Sequence, residues 1–159
     1  MSEIQAVPVE QIYRQIVDFC ISEKAEIEPG AQVTLEMLPS GVHTRIEAAR
    51  LAAGAVVESF VQLRDGVSVG EGAHIRYRAI IGEEAIIGSG AEVGINTHIE
   101  PRVDVPPHIP VGDFSHVCEG AVLGYGADIR PRSFIGAGVY VNGMVGPGAT
   151  MRLASPEVT

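Results

Sequence analysis

A six-residue period of aliphatic side chains constrains this chain more than any other feature. From Leu51 to Val141, every sixth residue is Val, Ile or Leu. Because these three residue types are a minority of the chain, an unbroken run of this length does not arise by chance. A period of six fits neither a helix of 3.6 residues per turn nor one long strand, so it indicates an internal repeat.

The other columns of the repeat favour small residues. Four residues after the aliphatic position, most repeats carry Ala, Ser or Thr, as at Ala55 and Ser115. Gly recurs one and three residues after it, as at Gly88 and Gly90. A short strand accounts for these columns if the aliphatic residue and the small residue two before it point inward. The Gly positions then relieve a tight corner, where a Cβ would clash or φ is positive.

This hexad pattern resembles the hexapeptide-repeat family, whose short strands form a left-handed parallel β-helix of triangular section. The phase extends back to Ile27 and Val33, but Pro39 and Arg45 occupy aliphatic slots between them and Leu51. The resemblance implies an all-β fold with three hexads in each 18-residue coil. Adjacent coils are expected to stack at about the 4.8 Å spacing of neighbouring strands.

The repeat also predicts the domain organisation. We expect residues 27–150 to form the β-helix, residues 1–26 an N-terminal helical cap and residues 151–159 a flexible tail. Residues 8–22 predict a short amphipathic helix, because apolar side chains recur on one face. Such a helix would cover the open end of the solenoid. Binding of a partner protein is the alternative role for this helix.

Charge and cysteine content exclude several classes of protein. The chain has 11 Lys and Arg against 20 Asp and Glu, a net charge of -9, which argues against nucleic-acid binding. No apolar run is long enough for a membrane span. The acidic N-terminus lacks the features of a signal peptide, so we expect a cytoplasmic protein. Cys20 and Cys118 alone do not form a disulfide framework.

The 18-residue period places two histidines above one another on one outward face. His98 and His116 are flanked along the face by Ile80 and Phe134. Apolar residues Ile86, Val122 and Tyr140 line another face. Exposed apolar columns mark an interface, and members of the resembling family are typically trimers with active sites between subunits. We therefore expect a homotrimer, with scattered apolar residues on a monomer as the alternative.

In the resembling acyltransferases, a histidine removes a proton from the acceptor hydroxyl or amine. The resemblance thus implies that His98 or His116 is the catalytic base and that Glu100 orients it. The alternative is that both histidines merely pack in the subunit interface. Cys118, two residues after His116, is interpreted either as a nucleophile or as a small interface residue, and the second interpretation is favoured.

Two arginines recur three coils apart on a second face. Arg76 and Arg130 lie about 15 Å from each other by the strand spacing. They are candidates for binding the phosphates of coenzyme A or of a sugar nucleotide. The alternative is ordinary surface charge that offsets nearby carboxylates, Glu58, Glu92 and Asp128.

The resemblance to the hexapeptide-repeat family implies acyl transfer from acetyl-CoA or another acyl-CoA to a small molecule, with a sugar as one candidate acceptor. The first alternative is a non-catalytic structural or assembly protein, which the unbroken repeat favours. The second is a metal protein similar to the γ-class carbonic anhydrases, with His74 approaching His98 across a trimer cleft. The histidine pair of that class, five residues apart, is absent, because Val103 and Ala121 stand there. No metal site is predicted.

Overall fold

The computed structural model describes residues 21–22, 24–34 and 44–153. These residues form a parallel β-solenoid of about six turns, built from two-residue strands on three faces. The all-β parallel fold expected from the hexad period is confirmed. The described residues contain no helix, and hence no helical segment that could span a membrane.

The three faces are named sheets I, II and III in the order in which each turn visits them. Sheet I contains β1 (Glu26–Ile27), β4 (Arg50–Leu51), β7 (Ser68–Val69), β10 (Ile86–Ile87) and β13 (Asp104–Val105). The same face of the solenoid continues with a separate two-stranded ladder of β16 (Val122–Leu123) and β19 (Tyr140–Val141). Sheet II contains β2 (Gln32–Val33), β5 (Val56–Val57), β8 (His74–Ile75), β11 (Glu92–Val93), β14 (Pro110–Val111), β17 (Asp128–Ile129) and β20 (Met144–Val145). Sheet III contains β3 (Arg45–Ile46), β6 (Gln62–Leu63), β9 (Ile80–Ile81), β12 (His98–Ile99), β15 (His116–Val117), β18 (Phe134–Ile135) and β21 (Thr150–Met151).

The core is a column of aliphatic side chains inside the three sheets. The second residue of nearly every strand is buried, as is the small residue two before it, for example Ile99 and Thr97. The alternation of inward and outward residues on a strand explains this pattern. The first residue of each strand consequently faces outward, so the outward columns follow the 18-residue period over most of the solenoid.

The first and last turns depart from that period. Arg45 pairs with Gln62, seventeen residues on, and Ile46 is buried while Arg45 is exposed. The six-residue period predicts that Arg45 points inward, but the inward position is occupied by Ile46. At the other end, Asp128 pairs with Met144, sixteen residues on. Glu26 pairs with Arg50, 24 residues on, so the turn that begins at β1 is longer than the period. The hexad from Ile46 to Leu51 is one residue short, which explains why Arg45 falls out of phase before Leu51.

The predicted terminal segments lie mostly outside the described residues. The described part of the expected helix over residues 8–22 begins at Ile21, which forms an isolated parallel bridge with Ile46. At the C-terminal end, Met151 pairs with Ile135, so the residue expected to begin a flexible tail is still part of sheet III.

The corners of the solenoid are left-handed in backbone conformation. Gly90 has φ of +68°, and non-glycine residues at the same position of the repeat have φ of about +55° to +63°. They are Phe60, Arg78, Glu84, Asn96, Arg102, His108, Phe114 and Arg132. Gly88 has a different reason to lack a side chain, because a Cβ there would lie 2.4 Å from the backbone N of Pro107 in the next turn.

Sheet I is interrupted between β13 and β16. One turn earlier, Gly88 donates its N–H to the carbonyl of Val105 at 2.7 Å. The equivalent residue in the next turn is Pro106, which has no N–H to donate to Leu123. No ladder joins β13 to β16 within the described residues. A groove of about 660 Å³ lies over this interruption and is lined in part by Ile86, Pro107 and Val122.

Candidate active site

A ladder of apolar and imidazole side chains runs along the outer surface of sheet III. Ile80, His98, His116 and Phe134 occupy successive turns in register. The rings of His98 and His116 have centroids 4.7 Å apart, and those of His116 and Phe134 are 5.5 Å apart. The stacked histidine pair predicted from the 18-residue period is therefore present.

Buried hydroxyl groups fix the start of each strand that carries these rings. Thr97, Ser115 and Ser133 immediately precede His98, His116 and Phe134, and all three are almost fully buried. The Thr97 hydroxyl donates to the carbonyl of Gly112 at 2.8 Å, and the Ser133 hydroxyl donates to that of Arg130 at 2.6 Å. These bonds satisfy corner carbonyls and hold the outward residues in place.

Glu100 is the carboxylate partner of His116. Its Oε1 lies 2.8 Å from Nε2 of His116, and its Oε2 accepts the backbone N–H of Glu119 at 2.7 Å. The Glu119 N–H and the His116 ring lower the pKa of Glu100, so the carboxylate stays ionised. Sequence reasoning had left open which histidine Glu100 orients. The side chain reaches the next turn instead of its strand neighbour His98.

His98 and Cys118 are the other titratable side chains next to the Glu100–His116 pair. Partial burial, followed by the proximity of His116, lowers the pKa of His98, although Glu100 acts in the opposite direction. Burial and the charge of Glu100 raise the pKa of the Cys118 thiol. A thiol with a raised pKa is a poor nucleophile in its free state, which agrees with the smaller role expected for Cys118.

A donor cluster that sequence reasoning did not identify as a metal site lies at this position. Donor atoms of Glu100, His116 and Cys118 all lie within 4.8 Å of one another. The signal was present in the sequence, since His116 and Cys118 are two residues apart and Glu100 lies 18 before Cys118. Recognising it required the direction in which the Glu100 side chain points.

The two predicted phosphate-binding arginines lie elsewhere, at the ends of strands in sheet II. Arg76 pairs with Glu92 at 3.2 Å and with Glu58 at 3.7 Å. Arg130 pairs with Asp128 at 2.8 Å. Both arginines are partly exposed and already have carboxylate partners. Within one chain, the structure does not bring them together with the histidine ladder.

His74 also lies on sheet II, where its Nε2 contacts a carboxylate oxygen of Glu58. It therefore does not share a face with His98 in a single chain, as the period predicted. Glu58 and His74 form a second carboxylate–histidine pair that lacks both a stacked imidazole and a thiol in the described surroundings. This pair provides a matched comparison for the site on sheet III.

The comparisons with known proteins identify the fold. No family model and no curated protein matches the sequence. Among solved structures, a UDP-N-acetylglucosamine acyltransferase from Francisella novicida matches 82% of this chain and 60% of its own, with a TM-score of 0.52 and 12% identity. A perosamine N-acetyltransferase from Caulobacter crescentus, solved with CoA and GDP-perosamine, has a TM-score of 0.42 and 18% identity over 89% of this chain and 57% of its own.

An acetyltransferase domain from Neisseria gonorrhoeae has a TM-score of 0.40 and 19% identity over 91% of this chain and 64% of its own. The chain thus spans about three fifths of the length of these structures. At such identities the likeness concerns architecture and not activity. The likeness to the Francisella structure, together with the hexad period and the three-sheet solenoid, shows that this chain has the hexapeptide-repeat β-helix fold.

Proposed function

We propose that the chain is an acyltransferase that moves an acetyl or longer acyl group from acyl-CoA to a hydroxyl or amine of a small molecule. The observation that carries the proposal is the Glu100–His116 pair, stacked against His98 on the outer face of sheet III. A solved acyltransferase with the same fold adds support through architecture alone. A sugar is a candidate acceptor because that solved structure is of an enzyme named for a nucleotide sugar.

The proposed chemistry uses His116 as the general base. With the imidazole proton on Nε2, that nitrogen donates to the Glu100 carboxylate and Nδ1 carries a free lone pair. Nδ1 of His116 takes the proton from the hydroxyl or amine of the acceptor molecule while the oxygen or nitrogen of that group attacks the thioester carbonyl. The tetrahedral intermediate then expels the CoA thiolate, which takes the proton back from His116. The products are the acylated acceptor and free CoA.

We also propose that the protein works as a homotrimer. Sheet I exposes the apolar side chains of Ile86, Val122 and Tyr140, between 47% and 62% exposed, with Asp104 in the same column between Ile86 and Val122. Exposed apolar side chains grouped on one face indicate an interface. The sheet I groove shares a corner with the histidine site, because Arg102 lines the groove and contacts Glu119, whose N–H holds Glu100.

The test is an assay of CoA release from acetyl-CoA with a panel of amino-sugar and hydroxyl acceptors. We expect His116→Ala to lower kcat by about 10²- to 10⁴-fold, the usual contribution of a general base. Glu100→Gln should lower it by less. The control His74→Ala, in the sheet II pair, should retain full activity. Turnover that survives His116→Ala would overturn the proposed role.

One observation favours the second candidate, a non-catalytic scaffold. Between residues 44 and 153 the described turns carry no inserted loop that would cover the histidine ladder. Uncovered sites exclude water poorly. A scaffold would neither bind acetyl-CoA nor release CoA with any acceptor.

A further inference from the structure

We propose that Glu100, His116 and Cys118 bind a divalent ion of the zinc class through one oxygen, one nitrogen and one sulfur, with one coordination position left open. Their donor atoms already lie within 4.8 Å of one another. The site lies within a single chain and combines two adjacent turns of sheet III.

The backbone explains why these three side chains converge. His116 and Cys118 are two residues apart along one strand direction, so both point to the outer side of sheet III. His98 pairs with His116 and Ile99 with Val117, which places Glu100 directly beside Cys118 on the neighbouring turn. The carboxylate therefore faces the thiol across the strands and the imidazole diagonally.

The donor set fits zinc better than magnesium or calcium, because those ions take oxygen ligands. Three protein ligands with an open fourth position is the arrangement of catalytic zinc sites. Tetrahedral bonds of about 2.0 to 2.3 Å put ligand atoms roughly 3.3 to 3.7 Å apart. The 2.8 Å contact between His116 and Glu100 would have to open by about half an ångström, and both side chains are about one third exposed and so have room to move.

Neighbouring groups already hold the ligands in position. The second carboxylate oxygen of Glu100 accepts the N–H of Glu119, and Glu119 contacts Arg102. The ring of His116 lies between those of His98 and Phe134. Hydrogen-bonded and packed ligands of this kind lose less freedom when an ion binds.

The ion would take the place of the thiol proton. Cys118 lies near the negative charge of Glu100 and the positive charge of Arg152. Metal coordination requires the thiolate, so binding releases that proton to solvent. The neutral His116 ring releases no proton on coordination if its single N–H hydrogen is on the nitrogen that does not bind the ion.

Metal binding and proton transfer at this site would exclude each other. An ion on Nε2 of His116 removes the hydrogen bond through which Glu100 orients the ring. Bound zinc should therefore inhibit acyl transfer, a consequence that rests on the proposed function. The binding itself does not rest on it and can be tested without any assay of activity.

The test is a titration of Co²⁺ into the reduced, metal-free chain, followed by absorption spectroscopy. We expect a near-ultraviolet thiolate-to-cobalt charge-transfer band that saturates at about one ion per chain and disappears when Zn²⁺ is added. Cys118→Ser should abolish the band. His116→Gln and Glu100→Gln should each weaken cobalt binding by more than about tenfold, because loss of a ligand costs at least as much as loss of a group that orients one.

Two variants serve as matched controls. Cys20→Ser removes the other thiol of the chain, and His74→Gln disrupts the carboxylate–histidine pair without a thiol. Both should bind cobalt as the unmodified chain does. Absence of the band in the unmodified chain, its survival in Cys118→Ser or its loss in Cys20→Ser would overturn the proposal.

Should Cys118→Ser fail to fold, as judged by circular dichroism, the unmodified chain, Cys20→Ser and His116→Gln still decide the outcome. A cobalt band without any CoA release would retain the metal site and reject the acyltransferase. CoA release without a cobalt band would retain the acyltransferase and reject the metal site.

Discussion

At the scale of single residues, the left-handed corners and the close approach of successive turns explain the glycine columns. Gly72 has φ of +66° with nothing near its Cβ position, whereas the Cβ position of Gly88 lies 2.4 Å from the Pro107 backbone. The first glycine avoids backbone strain and the second avoids a collision. Glycines in two columns of the repeat, one and three residues after the aliphatic position, are thus required for different physical reasons.

This difference predicts unequal losses of stability. Gly72→Ala should lower the free energy of unfolding by about 1 kcal/mol, the cost of a left-handed residue with a Cβ. Gly88→Ala should lower it by about 3 kcal/mol, because the next turn must move to admit the methyl group. Denaturant unfolding of the two variants measures both values. Equal losses would show that turn spacing does not limit the Gly88 position.

His98 makes the stability of the chain sensitive to mild acid. Its pKa is lowered in the folded state from the ordinary 6.5, so the unfolded chain binds the proton more readily. The neutral ring contributes stability above pH 6.5, and that contribution is lost as the pH falls through the folded-state pKa. Thermal unfolding of the metal-free chain should show a fall in Tm below about pH 6.5. His98→Gln should flatten this part of the profile; an unchanged profile would contradict the assignment.

At the scale of strands and turns, Pro106 weakens one seam of the solenoid. Ile86 donates its N–H to Val103 at 3.0 Å, and Gly88 donates to Val105. In the next turn, Asp104 and Pro106 make no corresponding ladder bond within the described residues. The seam between β13 and β16 is therefore held by its inward side chains and by the two neighbouring sheets.

Hydrogen exchange should detect this seam. We expect the amide of Asp104 to exchange markedly faster than that of Ile86, since an unbonded amide needs no opening of the ladder. Native-state exchange read by NMR or by peptide mass spectrometry makes the comparison. Equal protection at Asp104 and Ile86 would mean that sheet I is continuous in solution.

The turns also show how far the sequence specified the structure. The aliphatic period predicted the solenoid and the stacked pair of His98 and His116, because strand alternation and coil length alone determine them. It missed the inward position of Ile46, since that turn is one residue shorter than the period. It did not select His116 as the partner of Glu100, because that choice depends on side-chain direction and on the N–H of Glu119.

At the scale of the whole molecule, the exposed apolar side chains of sheet I and the histidine ladder of sheet III lie on adjacent faces. The groove of about 660 Å³ reaches the corner between them at Arg102. A second subunit packed on sheet I would cover the groove and supply the walls that the loop-free turns lack. The proposed trimer and the proposed site are in this way one hypothesis about the assembled protein.

The assembly makes a direct prediction. Light scattering coupled to size-exclusion chromatography should give three times the mass of one chain. Val122→Glu, which replaces an exposed apolar side chain next to Tyr140 with a charge, should produce monomers, whereas Asn96→Asp at an exposed corner between sheets II and III should leave the trimer intact. A monomeric unmodified chain, or a trimer that tolerates Val122→Glu, would contradict the proposed interface.

The central claim, that this β-helix uses acyl-CoA and is not a scaffold, is tested most directly by calorimetric titration of acetyl-CoA into the purified protein. We predict saturable binding with a Kd in the micromolar range, typical of enzyme substrates, at about one site per chain. Val122→Glu should weaken that binding by separating the subunits, and Asn96→Asp should not. An absence of binding heat at several temperatures, with the trimer intact, would contradict the account and favour the scaffold.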